Sequence, residues 1–195
     1  MQASIGVISD THGSAPMARR AIELLLARGA TQFIHLGDVG TASVLDLLAG
    51  LEATVVFGNC DDERGLARYA EAIGIRVVHP GSIIEVKCPG AGSGATEVVG
   101  RGMLRTATIR IGITHGHLER EVDRLFRSEV DYLLHGHTHE IRDEVVGRTR
   151  VLNPGALHRA RRYTALLLDP GSGTAEWINV DDGETEDPRG SKRGP

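Results

Sequence analysis

The sequence predicts an α/β protein, and two observations lead to this fold class. In the first half of the chain, short apolar runs rich in β-branched residues alternate with helical patterns, as in successive βαβ units. We therefore expect a parallel sheet there. In the second half, apolar runs are separated by short glycine-containing turns, as in antiparallel hairpins. These hairpins either extend the parallel sheet or form a second sheet packed on it.

Each element of the first half has its own local signal. Apolar runs of strand length occupy residues 5–9, 33–36 and 54–57. Helical patterns follow them at residues 16–28, 42–48 and 62–70. Pro16 favours a helix start and Gly29 a helix end, because proline fixes a helical φ and glycine adopts the left-handed conformation that terminates helices.

The second half contains further strands and one helix. Strands are predicted at residues 76–78, 83–86, 108–114, 132–134, 141–146, 149–152, 163–168 and 174–178. A charged amphipathic pattern predicts a helix at residues 119–127. The Gly-rich segment 89–102 indicates an exposed loop or an insertion, and Asn153-Pro154-Gly155 indicates a turn.

Length and composition indicate one globular domain. The apolar fraction of 41% and the charged fraction of 25% are typical of a soluble protein, and 195 residues can bury a substantial core. We assign residues 1–180 to this domain. Residues 181–195 contain no apolar residue outside Pro and Gly, so we expect a disordered tail there.

Charge, cysteines and the N-terminus restrict the classes of function. The net charge of −4 argues against a general nucleic-acid binder. Residues 1–5 lack the pattern of a signal peptide and no apolar run reaches membrane length, so we expect a cytoplasmic protein without membrane contact. Cys60 and Cys88 are isolated, which favours free thiols. For the oligomeric state, the sequence is compatible with a homodimer or a tetramer.

Five predicted strands end in polar clusters that contain possible metal ligands. The carboxyl ends of parallel strands are where α/β sheets bind ligands. His137 and His139 are two residues apart, so in an extended segment both side chains point the same way. The candidate ligands at the five strand ends are Asp10, His12, Asp38, Asn59, His115, His137 and His139.

These seven residues offer carboxylate, amide and imidazole donors and no thiolate. Such a set suits Mn²⁺, Ni²⁺, Fe, Co²⁺ or Zn²⁺ better than Ca²⁺ or a Cys-type zinc site. Seven ligands exceed the needs of one tetrahedral ion and fit two ions about 3.5–4 Å apart, as in two-metal phosphoryl chemistry. Taken singly, each motif also fits a local role, such as a helix cap at Asp10 or turns at Asp38 and Asn59.

The order of the motifs resembles the signature of the calcineurin-like metallophosphoesterases. The matching residues are Asp10-x-His12, Gly37-Asp38, Gly58-Asn59-Cys60-Asp61, His115-Gly116-His117 and Gly136-His137-Thr138-His139. The small size, the Asn-Cys-Asp form and Asn153-Pro154-Gly155 resemble the compact YfcE-type phosphodiesterase branch. The resemblance spans residues 5–155 and implies an α/β fold of two packed mixed β-sheets flanked by helices.

The resemblance also implies a role for each ligand. One metal ion would be bound by Asp10, His12, Asp38 and His139, and the other by Asp38, Asn59, His115 and His137. Asp38 would bridge two divalent ions, of which Mn²⁺ or Ni²⁺ are expected first. The ions would generate a hydroxide that attacks phosphorus in a small or nucleotide-like phosphodiester. His117 would contact the phosphate or assist proton transfer, and a supporting role behind the ligands is its alternative.

Several neighbouring residues are candidates for substrate contacts. Many phosphoprotein phosphatases of the superfamily carry a histidine at the position of Cys60, where it helps to protonate the leaving group. A thiol is a poorer acid, which favours esters with good leaving groups. Arg159, Arg161 and Arg162 could bind an anionic part of the substrate, although a solvated arginine cluster is the alternative. Asp61 either orients a ligand or caps the next helix.

Other functions on the same fold are alternatives to this one. An inactive scaffold, as in the retromer-subunit branch, would have lost ligands, whereas all seven positions are filled here. A phosphomonoesterase or a nuclease would use the same metal ions on another substrate. We interpret His35, His79 and His158 as structural and His135 as a neighbour of the ligands.

Overall fold

The computed structural model describes residues 4–89, 96–97, 106–186 and 188. Two β-sheets pack face to face, and helices cover their outer faces. Each sheet contains both parallel and antiparallel neighbours, which confirms the predicted pair of mixed sheets flanked by helices. Among the described residues, no helix is long and apolar enough to cross a membrane.

The first sheet has a parallel part and an antiparallel part. Its parallel strands are β1 (Ile5–Ile8), β2 (Gln32–His35), β3 (Ala53–Val55) and β4 (Arg76–Val77). Its antiparallel strands are β11 (Thr164–Asp169), β12 (Thr174–Asn179) and β13 (Thr185–Glu186), with β11 beside β1. The βαβ units predicted for the first half of the chain therefore form one side of this sheet.

The second sheet is built from the later strands. They are β5 (Ser82–Pro89), β6 (Thr96–Glu97), β7 (Thr106–Ile113), β8 (Tyr132–Leu134), β9 (Ile141–Val146) and β10 (Thr149–Pro154). β7, β8 and β10 are mutually parallel, whereas β5 and β9 pair antiparallel at the two sides. This sheet accordingly also presents the carboxyl ends of parallel strands at one edge.

The helices start and end close to the predicted positions. They are α1 (Ala15–Ala27), α2 (Ala42–Leu45), α3 (Glu63–Ala72) and α4 (Glu119–Arg127). Pro16 lies in the first turn of α1, and a 3₁₀ turn over Asp46–Leu48 continues α2. The Asp62 carboxylate caps α3 by accepting the Gly65 N–H at 3.3 Å.

Three apolar layers follow from the alternation of side chains along the strands. Leu134 of β8 faces the other sheet in a layer with Trp177, whereas the adjacent Leu133 packs against Leu125 of α4. The third layer lies between the first sheet and α1 to α3 and includes the buried Phe33. The metal-ligand motifs lie at one end of the seam, the interface where the two sheets pack against each other.

The C-terminal segment differs from the prediction. The expected disordered tail from residue 181 is wrong for residues 181–186, because Thr185–Glu186 pairs with β12. The Asn179 N–H donates to the Glu184 carbonyl at 2.7 Å, and the Glu186 carboxylate accepts from the Asn179 side chain and pairs with Arg162. Polar contacts thus order a segment that contains no apolar residue. Residues 189–195 lie outside the described residues.

Two other segments also differ from their predicted form. Asn153 and Pro154, predicted as a turn, instead extend β10 and pair with β9. In the predicted loop 89–102, Thr96–Glu97 pairs with β7, and most of the remaining loop lies outside the described residues.

Candidate metal centre

The loops that carry the candidate ligands are joined to one another at the seam between the sheets. The loops after β1 and β2 are linked by hydrogen bonds from the Asp10 N–H to the Gly37 carbonyl at 3.0 Å and from the His12 N–H to the Asp38 carbonyl at 2.8 Å. Across the seam, the His137 N–H donates to Asp10 Oδ2 at 3.0 Å. Loops from both sheets therefore form one connected unit.

Five of the seven candidate ligands have a left-handed main-chain conformation. Their φ angles are 53° at Asp10, 42° at His12, 52° at Asp38, 71° at His137 and 59° at His139. Residues other than glycine rarely adopt this conformation, and it costs free energy where they do. Such residues concentrate at functional sites, so this clustering supports the positions predicted from sequence.

A first donor group is formed by Asp10, His12, Asp38 and His139. His139 Nε2 lies 3.3 Å from Asp10 Oδ1 and 3.4 Å from His12 Nε2. His12 Nε2 lies 3.5 Å from Asp38 Oδ2. These nitrogen and oxygen atoms converge on one small volume, as the ligands of a single ion do.

A second donor group is formed by Asp38 and His115, whose donor atoms lie within 4.8 Å of a carboxylate oxygen of Asp10, and the His137 ring lies beside it. His115 Nε2 lies 3.4 Å from Asp38 Oδ1, the other oxygen of the carboxylate in the first donor group. His115 Nδ1 lies 2.8 Å from the Leu36 carbonyl and donates to it, which leaves the lone pair on Nε2. The His137 ring centroid lies 5.1 Å from that of His115.

Two buried atoms of these groups lack hydrogen-bond partners among the described residues. Asp10 Oδ2 accepts from the Ser9 hydroxyl and the His137 N–H, but Oδ1 accepts no hydrogen bond. His115 Nε2 is likewise buried without a hydrogen-bond partner. Leaving such atoms unpaired costs about 1–3 kcal/mol each. A bound cation would satisfy both, so the residues present fit the divalent metal ions that the motifs imply.

Asn59 stays a predicted ligand of the second ion. Asn59 is exposed, and its Nδ2 donates to Cys60 Sγ at 3.3 Å. The adjacent Cys60 thiol instead lies within 4.8 Å of donor atoms of His12 and Asp38. A hydrogen bond to Asp38, followed by burial, raises the pKa of this thiol.

Asp61 joins the loops after β2 and β3. Its carboxylate accepts from the Gly40 N–H at 2.8 Å and from the Gly58 N–H at 2.9 Å. The α3 cap is the adjacent Asp62, so Asp61 orients the ligand loops rather than capping the helix. Gly58 itself must lack a side chain, because a Cβ there would overlap the Asp38 carboxylate.

The shared carboxylate of Asp38 is held in its ionised form. Burial acts to raise the pKa of Asp38, but the hydrogen bond from the Cys60 N–H at 3.0 Å and the neighbouring His115 outweigh it, so the pKa lies below its ordinary value. Asp38 is therefore an anion at neutral pH, as a metal-bridging ligand must be.

His117 lies beside the second donor group. Its ring centroid is 5.3 Å from that of His115 and 6.2 Å from that of His137. Burial, followed by the repulsion of these two histidines, lowers the pKa of His117. Its Nδ1 is buried without a hydrogen-bond partner among the described residues, so this side chain can contact a bound anion.

His35 belongs to a buried hydrogen-bond relay that sequence patterns do not reveal. The Gly37 N–H donates to His35 Nδ1 at 3.2 Å, so the ring proton is on Nε2, which lies 2.9 Å from Thr11 Oγ1. The Thr11 hydroxyl then donates to the Val39 carbonyl at 3.0 Å. Burial is the main reason that the pKa of His35 is lowered to about 3. The relay links the first two ligand loops through a neutral imidazole, in agreement with a structural role.

Asn153 supports the loop that carries His137 and His139. Its Nδ2 lies 3.1 Å from the Gly136 carbonyl and 3.1 Å from Thr138 Oγ1. His135 Nδ1 lies 3.0 Å from the same Gly136 carbonyl. The sequence signal for this supporting role is the motif Asn153-Pro154-Gly155. We predicted a turn from that motif, and a turn does not indicate these contacts.

The arginines proposed for substrate binding are not placed against the donor groups. Arg162 pairs with Glu186, and the described residues show no contact of the exposed Arg159 or Arg161 with the candidate ligands. Their role stays a prediction. The structure instead brings His158, interpreted from sequence as structural, to 5.3 Å from His12 between ring centroids.

This fold and site define a metallophosphoesterase, and comparison with known proteins gives the family. Residues 3–172 match the model of the calcineurin-like phosphoesterase superfamily domain, so the chain belongs to that superfamily and is a metal-dependent hydrolase of phosphoesters. The phosphodiesterase MJ0936 of Methanocaldococcus jannaschii is 29% identical over 154 residues, which cover 77% of this chain and 82% of that protein.

Solved structures agree with this family. An archaeal phosphodiesterase is similar with a TM-score of 0.69 and 26% identity, and the match covers 90% of this chain and 99% of that one. YfcE, a phosphoesterase from E. coli, is similar with a TM-score of 0.62 and 21% identity over 94% of this chain and 97% of its own. The similarity to YfcE concerns the fold, which agrees with the superfamily that the family model gives.

Proposed function

We propose that this hydrolase is a dinuclear metal-dependent phosphodiesterase that acts on small or nucleotide-like esters. The observation that carries the proposal is Asp38, whose Oδ2 faces His12 and whose Oδ1 faces His115. One carboxylate shared by two donor groups is suited to two closely spaced divalent ions. The similarity to the phosphodiesterase MJ0936 supports a diester substrate.

The residues of the chain prepare the site for this chemistry. Two divalent ions, when bound, supply a water of lowered pKa and neutralise phosphate oxygens. The Leu36 carbonyl fixes the ring of His115 so that Nε2 presents its lone pair. The anionic Asp38 balances part of the metal charge, and His117 is positioned to hydrogen-bond to a phosphate oxygen.

The chemistry of the donors guides the choice of metal ions and compartment. Carboxylate and imidazole ligands suit Mn²⁺ or Ni²⁺, and also accept Fe, Co²⁺ or Zn²⁺. Among the described residues Cys60 and Cys88 are unpaired, which supports a reducing compartment and thus a cytoplasmic enzyme. The proposed partner is a small phosphoester.

Hydrolysis of bis(p-nitrophenyl) phosphate with and without Mn²⁺ or Ni²⁺ tests the activity. We expect metal-dependent turnover, and we expect Asp38→Asn to lower kcat/KM by more than about 100-fold, the upper range for losing even a supporting partner of a metal ligand. Asp123→Asn is the matched control, because this exposed carboxylate lies on α4. No turnover with any divalent metal, or equal turnover in Asp38→Asn, would refute the proposal.

Metal content and a substrate panel test the two finer parts of the proposal. Protein purified without chelator should contain two tightly bound transition-metal ions per chain, and a content of one would refute the dinuclear site. Aryl monoesters, aryl diesters and cyclic nucleotides should then be compared at one metal concentration. Faster hydrolysis of the monoesters would assign the enzyme to the phosphomonoesterases instead.

A further inference from the structure

His158 follows β10 and lies at the edge of the first donor group. Its ring centroid is 5.3 Å from that of His12, and the two rings are tilted by 48°. The side chain is half-buried, and no hydrogen bond of its ring nitrogens occurs within the described part of the chain. A polar side chain next to the site therefore keeps its donor and acceptor free.

The loop that carries His158 is fixed on both sides of the residue. The Leu157 N–H donates to the Ser9 carbonyl at 3.3 Å. Ser9 is the residue directly before the ligand Asp10 in the sequence. Leu157 is buried, and Ala156 is buried and forms a β-bridge with Tyr163. Because the main chain is anchored there, the position of His158 beside His12 is set by the fold rather than by a mobile loop.

The surrounding charges favour an anion near His158. Arg159 is the next residue in the chain, and the His12 ring lies beside that of His158. The imidazole of His158 can present a ring N–H to such an anion. With two divalent ions bound, their charge exceeds that of the carboxylates Asp10 and Asp38, and the site attracts phosphate.

We infer that His158 contacts the substrate by donating a hydrogen bond from its ring N–H to a phosphate oxygen. This inference rests on the proposed phosphodiesterase function. A role as a metal ligand fits less well, because four donors already converge in the first donor group, and His158 is not among the residues whose donor atoms lie within 4.8 Å of one another. Its ligand is thus the phosphate group itself.

Binding of inorganic phosphate to the Mn²⁺-loaded protein tests this inference independently of turnover. We expect His158→Ala to raise the Kd for phosphate about tenfold or more in isothermal titration calorimetry, the effect of losing one hydrogen bond to a charged group. His158→Gln should recover much of the affinity, because the amide supplies an N–H. The metal content, measured by mass spectrometry, should stay at the wild-type value in both variants.

Histidine substitution away from the site provides the control. His79 is exposed beyond β4, so His79→Ala should leave both the phosphate Kd and the metal content unchanged. An unchanged Kd in His158→Ala, or no phosphate binding by the wild-type protein, would overturn the inference. Loss of metal in His158→Ala would overturn it as well and identify a metal ligand. If the wild-type protein binds phosphate but hydrolyses no ester, only the proposed function fails.

Discussion

At the residue scale, the site depends on side chains whose two polar atoms serve different partners. Asp10 uses Oδ2 for the Ser9 hydroxyl and the His137 N–H and keeps Oδ1 for the first donor group. His115 uses Nδ1 for the Leu36 carbonyl and keeps Nε2 for the second. In each case a hydrogen bond on one side fixes the side chain and leaves the other atom available to a metal ion, which is how supporting contacts strengthen metal ligands.

The two histidines of Gly136-His137-Thr138-His139 should serve different ions. His139 lies with Asp10 and His12, whereas the His137 ring lies against His115. We therefore expect His139→Ala to empty the first site preferentially and His137→Ala the second. Anomalous diffraction from Mn²⁺-soaked crystals of each variant measures the two occupancies. If both variants lost the same ion, the two imidazoles would share one metal.

His35 should make the metal-free protein sensitive to acid. Its folded-state pKa is about 3, below the ordinary value of 6.5. Below pH 6.5 His35 is protonated in the unfolded chain but stays neutral in the folded protein. The contribution of His35 to the free energy of unfolding is therefore fully present above pH 6.5 and is lost as the pH falls toward 3. In the His35→Gln variant, residue 35 binds no proton in either the folded or the unfolded state. Its unfolding free energy should fall less steeply with decreasing pH, by up to about 1.4 kcal/mol per pH unit.

Chemical unfolding in the presence of a chelator, at several pH values between 7.5 and 4.5, measures that slope. The wild-type protein and His35→Gln should show the same denaturant dependence, so that the comparison concerns stability alone. Parallel curves of free energy against pH would show that His35 is not held neutral in the folded protein.

At the element scale, hydrogen bonds between the loops fix the positions of the metal ligands. Asp61 accepts from the N–H groups of Gly40 and Gly58 and so fixes two loop ends on either side of Asp38. Asp61→Ala leaves both donors unpaired and should weaken Mn²⁺ binding about tenfold, within the range for supporting partners of metal ligands. Asp61→Asn retains one acceptor and should have a smaller effect. Equal Mn²⁺ affinity in calorimetry for all three proteins would contradict this role.

The strand ends could be predicted from sequence because periodicity and glycine are local signals. The run before Asp10 and the apolar residues before His135 each identify a buried strand, and the polar residues that follow lie at its carboxyl end. The ligand motifs add an ordered pattern with little ambiguity. The two sheets therefore form as the sequence indicates, and donor atoms of Asp10, His12, Asp38, His115 and His139 converge at their seam.

Long-range hydrogen bonds could not be predicted in the same way. The link from Thr11 to His35 and the contacts of Asn153 with the loop of Thr138 depend on how distant segments meet. The spacing of residues in the sequence does not determine the side-chain conformation of the exposed Asn59. The strand at Thr185–Glu186 has no apolar pattern, because ion pairs and main-chain hydrogen bonds stabilise it instead.

At the scale of the whole molecule, the last strand should contribute to stability. Arg28 donates to the Gly183 carbonyl, and Glu186 accepts from Asn179 and pairs with Arg162. Ending the chain after residue 180 removes several of these hydrogen bonds, each worth about 1 kcal/mol. We expect a clear fall in the melting temperature relative to a chain that ends after residue 188. Equal melting temperatures for both truncations would contradict a structural role for residues 181–186.

The metal centre should also hold the two sheets together. Asp10 and Asp38 come from the first sheet and His115 from the second, and the buried atoms Asp10 Oδ1 and His115 Nε2 lack hydrogen-bond partners among the described residues. Metal ions that bind only the folded chain raise its stability by about 2.7 kcal/mol per site at 100 times the Kd. Saturating Mn²⁺ should therefore raise the melting temperature of the chelator-treated protein by several degrees.

The same measurement on variants separates metal binding from general effects of salt. Asp38→Asn loses a ligand of both donor groups, so Mn²⁺ should raise its melting temperature little, whereas Asp123→Asn should respond like the wild-type protein. Mg²⁺ at equal concentration is a second control, because it prefers oxygen ligands and retains its waters. An equal response of wild type and Asp38→Asn to Mn²⁺ would mean that the ions bind elsewhere and that the seam is stabilised by protein contacts alone.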